Sequence, residues 1–209
     1  MLGAHLGIDD YLARLHAEVD RIDRAQVRHL ADLLFDAWQA GRFVFLFGNG
    51  GSATTASHFA EDLGKNCVPP DDLVRGTGKR LKVLSLTDNV GWITALANDL
   101  RYDQVFVQQL AHYASPGDLA IAISGSGNSP NVLEAVDWAN RHGLVTFGLT
   151  GFDGGKLKCI QQAGIHVRLD DMAMVESLHM CLGHWVVDDL MARIQGLGRH
   201  AGGKPKAES

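Results

Sequence analysis

Residues 43–62 read FVFLFGNGGSATTASHFAED, and this stretch decides the fold. It begins with five apolar residues, passes through the glycine-rich sequence GNGGS at 48–52, and continues in a segment of helix length. An apolar run followed by a tight glycine turn and a helix is typical of a βα unit in a parallel sheet, whose strands are covered on both faces. The stretch therefore predicts a strand, a turn and a helix.

The same pattern recurs along the chain. Short, almost wholly apolar runs separated by helix-length segments lie at 81–86, 119–124, 145–149 and 165–169. Strands that alternate apolar and polar residues have one face in water, whereas these runs do not alternate. We therefore predict an α/β fold: a three-layer sandwich with a five-stranded parallel sheet of the flavodoxin-like type.

Two amphipathic helices are predicted before the sheet, at about 9–40, from apolar residues at helical spacing. These residues are Leu12, Leu15, Val19 and Ile22, then Val27, Leu30, Leu34 and Trp38. The sheet core is expected at about 43–195. Two prolines and two glycines at 68–80 indicate a mobile loop, and the polar stretch 198–209 is predicted to be a disordered tail. A single domain then spans 1–209.

Composition restricts the class of protein. The chain has 209 residues, 46% of them hydrophobic, and a formal net charge of −5. This negative charge argues against direct contact with nucleic acid. We expect no membrane span and a cytoplasmic location, because no apolar run approaches about 20 residues and the first residues lack signal-peptide character. Cys67, Cys159 and Cys181 form no close pair and are expected to be ordinary thiols.

Two glycine-rich turns are suited to an anionic ligand. The first is GNGGS at 48–52, and the second is SGSGNS at 124–129. Each follows a predicted strand and precedes a predicted helix, so backbone N–H groups, a helix dipole and serine hydroxyls can face a phosphate. For the first turn, an ordinary tight βα connection is the alternative. Neither turn has the P-loop sequence or the full GxGxxG spacing, which disfavours nucleoside triphosphates and NAD.

Carboxylates and imidazoles occur on two predicted helices. His58 and Asp62 are four residues apart and share one helix face, while Glu176 and His184 lie about two turns apart near the end of the chain. If the helices converge, these residues suit a divalent metal, with zinc the usual choice. Isomerisation through an enediol needs a base at carbon, a proton carrier between oxygens and a stabilising cation, and this set can supply all three.

Structural explanations compete with these roles. A hydrogen-bonded structural histidine is the alternative for His58 and for His184. Glu61 is interpreted as a helix-surface or interface charge, and His179 as a packed or interface group.

Six motifs occur in a fixed order along the chain. They are GNGGS, HFAED, AND at 97–99, SGSGNS, LTGFDGGKL at 149–157 and ESLHMCLGH at 176–184. Over roughly residues 9–195 the sequence resembles the phosphoheptose isomerase family of SIS (sugar isomerase) domains. The resemblance implies a sugar-phosphate aldose–ketose isomerase of lipopolysaccharide precursor synthesis, converting sedoheptulose 7-phosphate to D-glycero-heptose 7-phosphate by metal-assisted enediol proton transfer. It also implies a homotetramer with active sites between subunits.

The resemblance assigns roles to individual residues. Asp62 matches the family's catalytic glutamate and His184 its catalytic histidine. His58 and Glu176 match two positions that, with these, hold zinc in some members. Glu176 is also a candidate for the base, so the choice between the two carboxylates stays open. Substrate and phosphate binding is implied for Asn49, Gly50, Gly51, Ser52, Asp99, Ser124, Gly125, Ser126 and Ser129.

The sequence departs from the family at five of the matched positions. Asp62 stands where the family has glutamate, and Glu176 where it has glutamine. Asn66 replaces a basic residue, Ala173 an aspartate that touches the sugar, and Gly125 a phosphate-binding threonine. The phosphate end of the pocket is thus better matched than the sugar end, and an altered sugar is an alternative.

Two functions without catalysis are the alternatives to an isomerase. Some SIS-fold proteins are adaptors, including a regulator that binds the bacterial replication initiator, and others are phosphosugar-sensing regulators. The adaptors need no catalytic carboxylate or histidine, which favours an enzyme here. The sensors usually carry a DNA-binding helix-turn-helix, and no such basic segment occurs in this chain.

Overall fold

The structure is a computed structural model that describes residues 1–201. Within these residues the chain forms nine α-helices and five β-strands. In chain order they are α1 (Ile8–Asp20), α2 (Arg24–Ala40), β1 (Phe43–Gly48), α3 (Gly51–Lys65), α4 (Pro70–Arg75), β2 (Lys82–Ser85), α5 (Val90–Asp99), α6 (Val107–Tyr113), β3 (Leu119–Ser124), α7 (Pro130–Arg141), β4 (Val145–Thr150), α8 (Leu157–Ile160), β5 (Ala163–His166) and α9 (Met172–Gln195). Short 3-10 helices lie at Leu2–Ala4, Tyr102–Gln104 and Gly198–His200.

The five strands form one parallel sheet in the order β2-β1-β3-β4-β5. This is the flavodoxin-like strand order, and the predicted α/β fold is confirmed. All six residues of β3, the central strand, are buried. A strand that is buried on both faces must be apolar throughout, which explains why the runs in the sequence do not alternate.

Two apolar cores lie on the two faces of the sheet. On β1, Val44 and Leu46 belong to the core that α2, α3 and α9 cover. Phe45 and Phe47 belong to the opposite core, which contains residues of α6, α7 and α8. Successive side chains of a strand point to opposite faces, so a single apolar strand serves both layers.

The predicted N-terminal helices are present as α1 and α2. The Asp23 side chain accepts a hydrogen bond from the Ala25 amide at the start of α2, and Gly41 ends this helix in the left-handed conformation, with φ +65°. α2 packs against α9, the longest helix at 24 residues. Across residues 1–201, no helix is long and apolar enough to cross a membrane.

Three segments differ in detail from the sequence-based expectation. Part of the predicted mobile loop is the short helix α4, which begins at Pro70 as proline favours and ends at Gly76. The last strand begins at Ala163, before the apolar run that predicted it. The predicted disordered tail is structured at its start, where His200 Nε2 lies 2.9 Å from the buried Asp189 carboxylate. Residues 202–209 of that tail lie outside the described residues.

Candidate active site

The two glycine-rich turns lie side by side at the carboxyl edge of the sheet. Strands β1 and β3 are neighbours, and Gly48 at the end of β1 pairs with Ile123 near the end of β3. The strand order reverses here, because β1 leads outward to β2 whereas β3 leads to β4 and β5. Ligands of open parallel α/β sheets bind in the crevice at such a switch point. The topology thus brings both turns to the position where a ligand of this fold class binds.

Steric constraints explain why glycine occurs in the first turn. A Cβ on Gly48 would lie 2.6 Å from the carbonyl oxygen of Ile123, so only glycine fits beside β3. Gly50 has φ +56°, a conformation that side chains rarely adopt, and it is the N-cap of α3. The exposed Gly51 then begins the helix, with no side-chain cap on its amides. The turn therefore places a helix N-terminus without a side-chain hydrogen-bond cap at the crevice.

Serine hydroxyls line the second turn. The Gly127 amide donates a hydrogen bond to Ser124 Oγ at 3.2 Å, and Ser129 Oγ lies 3.5 Å from Ser124 Oγ. Ser126 Oγ accepts a hydrogen bond from the Asn128 amide at 3.3 Å. Ser129 is the N-cap of α7, and its side chain accepts no hydrogen bond from an amide of the helix. Three hydroxyls and an uncapped helix N-terminus together suit an anionic oxygen ligand.

The LTGFDGGKL motif supports the second turn from behind. A Cβ on Gly127, which has φ +65°, would lie 1.9 Å from the Gly154 carbonyl oxygen. Asn128 Oδ1 accepts a hydrogen bond from the Lys156 amide at 3.2 Å, and the Gly127 carbonyl accepts one from the Leu157 amide at 2.9 Å. These contacts hold the second turn in place, and the close approach of Gly127 to the Gly154 carbonyl requires glycine.

Met172 occupies the space beside Gly125. A Cβ on Gly125 would lie 2.3 Å from Met172 Sδ and 3.0 Å from its Cε. Met172 is the first residue of α9, so the long helix begins against the second turn. Met172 therefore places a thioether from another element at this point of the second turn.

His58, Asp62 and His184 converge on one point. His58 Nε2 and His184 Nε2 are 3.4 Å apart, and they lie 3.2 Å and 3.8 Å from Asp62 Oδ2. The second carboxylate oxygen, Oδ1, accepts a hydrogen bond from Asn66 Nδ2 at 2.8 Å, which leaves Oδ2 for the imidazoles. The Asp62 side chain is 13% exposed, while both imidazoles are about half-exposed.

Close packing of α3 against α9 brings this cluster together. A Cβ on Gly183 would lie 1.7 Å from the Phe59 ring, so glycine at 183 lets that ring pack directly on α9. The two residues of this contact are adjacent in sequence to the two histidines of the cluster: His58 precedes Phe59, and His184 follows Gly183. A single glycine on α9 therefore sets the distance between the two imidazoles.

Glu176 lies apart from this cluster. Its carboxylate is next to Gly51, where an added Cβ would be 2.4 Å from Oε1 and 2.5 Å from Oε2. Along α9 it is eight residues from His184, which corresponds to about 12 Å of helix. The predicted group of four ligands is thus divided within one subunit: three residues converge, and the fourth faces the first turn.

The remaining predicted residues are placed as follows. Asp99 ends α5 and is exposed, and its carboxylate accepts a hydrogen bond from Asn98 at 2.9 Å rather than from either turn. Glu61 is exposed and lies 3.3 Å from Lys65 on the same helix, which fits a surface charge. His179 is 1% exposed, and its Nε2 lies 3.2 Å from the Thr150 carbonyl oxygen, which fits a packed group.

Cys67 has the environment of an unreactive cysteine. Cys67 is buried, and burial, with a smaller effect from the Asp62 carboxylate, raises the pKa of its thiol to about 12. The thiol is therefore protonated at neutral pH, whereas a reactive cysteine requires the thiolate. Cys159 and Cys181 are free and exposed.

Two site residues were missed in the sequence, Asn131 and Tyr102. Asn131 lies in the first turn of α7 and forms two hydrogen bonds with Asn49, each 2.8 Å long. The Tyr102 hydroxyl donates to Asn49 Oδ1 at 3.0 Å. In the sequence, Asn131 could have been recognised only as a polar residue in the first turn of a predicted amphipathic helix. No local pattern points to Tyr102, because it lies 53 residues from its partner.

A flavodoxin-like parallel sheet with paired serine- and glycine-rich turns at its switch point defines an SIS domain protein. Residues 9–151 match the SIS domain family. The sequence is 38% identical to a phosphoheptose isomerase of Chlorobium phaeobacteroides over 191 residues, covering 90% of this chain and 81% of the relative. It is 36% identical to one of Paramagnetospirillum magneticum, covering 88% and 94%. The chain therefore belongs to the phosphoheptose isomerase family, and it is a sugar-phosphate isomerase.

A solved structure supports the same assignment. The phosphoheptose isomerase of Neisseria gonorrhoeae superposes with a TM-score of 0.78 at 28% sequence identity, covering 88% of this chain and 96% of that one. The two chains thus share the whole fold across nearly all of the described residues.

Proposed function

We propose that the chain interconverts an aldose and a ketose phosphate, with sedoheptulose 7-phosphate and D-glycero-heptose 7-phosphate as the first candidates. One observation carries this proposal: the first turn and the serine-rich turn follow the paired strands β1 and β3, and the helix that begins at the first turn, α3, also carries His58 and Asp62 of the cluster with His184. Relatives that bear the name phosphoheptose isomerase supply the substrate class. The departures at the sugar end leave a related sugar phosphate as the second candidate.

The second turn is proposed to bind the phosphate. Ser124, Ser126 and Ser129 offer hydroxyl donors at the uncapped N-terminus of α7. Neutral donors and a helix dipole stabilise a dianion without adding a cationic side chain. The net charge of −5 gives the chain no long-range attraction for an anion, so local donors must provide the affinity.

The three-residue cluster is proposed to hold zinc. Zinc–ligand bonds of about 2.0–2.1 Å in tetrahedral geometry separate the ligand atoms by about 3.3 Å. The separations of 3.2, 3.4 and 3.8 Å between the atoms of His58, Asp62 and His184 fit three corners of such a tetrahedron. A fourth corner then remains for water or substrate, as in catalytic zinc sites. Bound zinc would stabilise negative charge on the enediolate oxygens.

Asp62 and Glu176 are the two candidates for the base at carbon. Asp62 lies between the imidazoles, whereas Glu176 lies beside the first turn. A carboxylate that removes a proton from one carbon can return it to the adjacent one, while His184 moves protons between the two oxygens. Each carboxylate satisfies one requirement: Asp62 is close to the imidazole, and Glu176 is close to the ligand turns.

A homotetramer with active sites between subunits is part of the proposal. Ile8 and Leu12 of α1 are 68% and 53% exposed, and α5 is an apolar helix without a single buried residue. Apolar faces of this kind usually meet a partner subunit. In addition, Glu176 is too far along α9 from His184 to share its metal in this conformation, so Glu176 as the fourth ligand would come from a neighbouring subunit.

The proposal is tested with a panel of ketose and aldose phosphates assayed with and without a chelator. We expect turnover of a heptose phosphate, lost on chelation and restored by zinc. Sedimentation at micromolar concentration tests the oligomer, and a monomer there contradicts the tetramer. A wild-type chain that binds a sugar phosphate but turns over none favours the sensor function, and one that binds none favours the adaptor.

A further inference from the structure

The two turns are joined by a pair of side-chain amides. Asn49, in the first turn, donates through Nδ2 to Asn131 Oδ1 at 2.8 Å, and Asn131 donates back through its own Nδ2 to Asn49 Oδ1 at 2.8 Å. Asn131 is 2% exposed, at the start of α7 behind the second turn. The reciprocal pair therefore links the loop after β1 to the loop after β3 through a buried contact.

The orientation of both amides is fixed by the backbone. The Val132 amide donates to Asn131 Oδ1 at 3.0 Å as well as to the Ser129 carbonyl at 3.1 Å, and an N–H repels another donor placed against it. Rotating the Asn131 amide would place its NH₂ group against that N–H. Since Asn131 cannot rotate, Asn49 cannot rotate either, because each amide faces the complementary group of the other.

Tyr102 completes the arrangement. Its hydroxyl, on a residue that is 56% exposed, donates to Asn49 Oδ1 at 3.0 Å. A carbonyl oxygen has two lone-pair sites, and Asn131 and Tyr102 occupy both. One N–H of Asn49 Nδ2 is used by Asn131, and the other has no partner among residues 1–201. Asn49 is thereby left with a single free donor and no free acceptor.

We propose that Asn131 and Tyr102 are positioning residues that hold the Asn49 amide as a donor for an oxygen atom of the substrate. This inference rests on the proposed function, because it concerns recognition of the same sugar phosphate. It adds a specificity rule: the group facing Asn49 must be an acceptor, such as a phosphate oxygen or a hydroxyl lone pair. Without the two residues, the amide is free to rotate and to present its oxygen, which repels such an acceptor.

Tyr102→Phe tests the inference with the removal of one oxygen atom. A net hydrogen bond of about 0.5–1.5 kcal/mol corresponds to roughly a twofold to twelvefold rise in KM, with kcat within about twofold. Tyr113→Phe is the matched control, because Tyr113 lies on α6, outside the site, and its KM should equal that of the wild type. Wild-type KM and kcat in Tyr102→Phe overturn the role of the hydroxyl.

A double-mutant cycle tests whether Asn131 acts through Asn49. Asn131→Ala should raise KM about tenfold in the wild-type background and should have no further effect in an Asn49→Ala background. Asn131→Asp guards against misfolding, since a carboxylate suits a helix N-terminus and still accepts from Val132, yet its second oxygen faces Asn49 Oδ1. It should raise KM in a variant that stays folded, as its circular dichroism spectrum would show.

The same cycle is repeated by calorimetry with sugar phosphate, so that binding is measured apart from turnover. Independent, additive effects of the two asparagine substitutions overturn the inference alone, whereas the proposed function stands if the wild type turns over substrate. A wild type that neither binds nor converts any sugar phosphate in the panel overturns both.

Discussion

We expect His179 to make the stability of the protein depend on pH between 5 and 7. The side chain is fully buried in α9, between Glu176 and His184 in sequence. Burial is the largest cause that lowers its pKa, from 6.5 to about 4, against a smaller opposite effect of the Thr150 carbonyl. In the folded protein the imidazole therefore stays neutral at pH 5, whereas in the unfolded chain it is mostly protonated at that pH.

The sign and size of the effect follow from this difference in proton binding. The unfolded state binds more protons below pH 6.5, so stability falls as the pH falls, until the folded form is also protonated near pH 4. For a pKa of 6.5 in the unfolded chain and about 4 in the folded one, the loss between pH 7 and pH 5 is about 2 kcal/mol per subunit. This loss affects the helix that carries both Glu176 and His184.

Urea unfolding at pH 7 and pH 5 measures the loss, and His179→Gln isolates it. Glutamine does not titrate, and its Nε2 can keep the donation to the Thr150 carbonyl. The variant should therefore lose about 2 kcal/mol less than the wild type over this interval, while His16→Gln, on the exposed surface of α1, should behave as the wild type does. Equal losses for wild type and His179→Gln would refute the reasoning.

Three further predictions concern the site. Ser124→Ala with Ser129→Ala should weaken sugar-phosphate binding in calorimetry and raise KM more than it lowers kcat, because the hydroxyls contact the unreacting end; unchanged affinity contradicts the phosphate role. Zinc should copurify with the wild type, and His184→Ala should lower both the zinc content, measured by atomic emission, and turnover; full zinc in the variant contradicts its ligation. Asp62→Asn and Glu176→Gln should differ, because the variant that lacks the base loses roughly 100-fold in kcat and the other loses mainly affinity, and turnover that survives each substitution rules out both residues as the base.

The sheet was predictable because its physical signal is local. An apolar run such as 119–124 reports burial on both faces of β3, and all six residues are buried. The start of β5 was missed because Ala163 and Gly164 carry too little apolar surface to mark a strand, although their backbone pairs with β4. Helix α4 was missed because proline and glycine at its two ends look like a loop in sequence.

The candidate site was predictable only where one helix sets the spacing. A spacing of four residues on α3 places His58 and Asp62 on one face of the helix, and in the structure His58 Nε2 lies 3.2 Å from Asp62 Oδ2. Where α9 lies relative to α3 depends on packing, here on the Phe59 ring against Gly183, and no spacing rule contains that contact. For the same reason the sequence could not indicate that Glu176 faces the first turn.

Two positions at which the resemblance implies a different residue, Asp62 and Gly125, contact neighbouring side chains of this chain. Asn66 binds the Asp62 carboxylate through a 2.8 Å hydrogen bond, so the shorter acid has a neighbour that holds it in place. Met172 fills the space beside Gly125, and a threonine restored there alone would place its Cβ 2.3 Å from Met172 Sδ. The residues at 62 and 125 are thus each in contact with another side chain of this chain. Because Gly125 and Met172 lie on different elements, a threonine introduced at 125 alone meets the Met172 side chain, so the two positions have to be exchanged together.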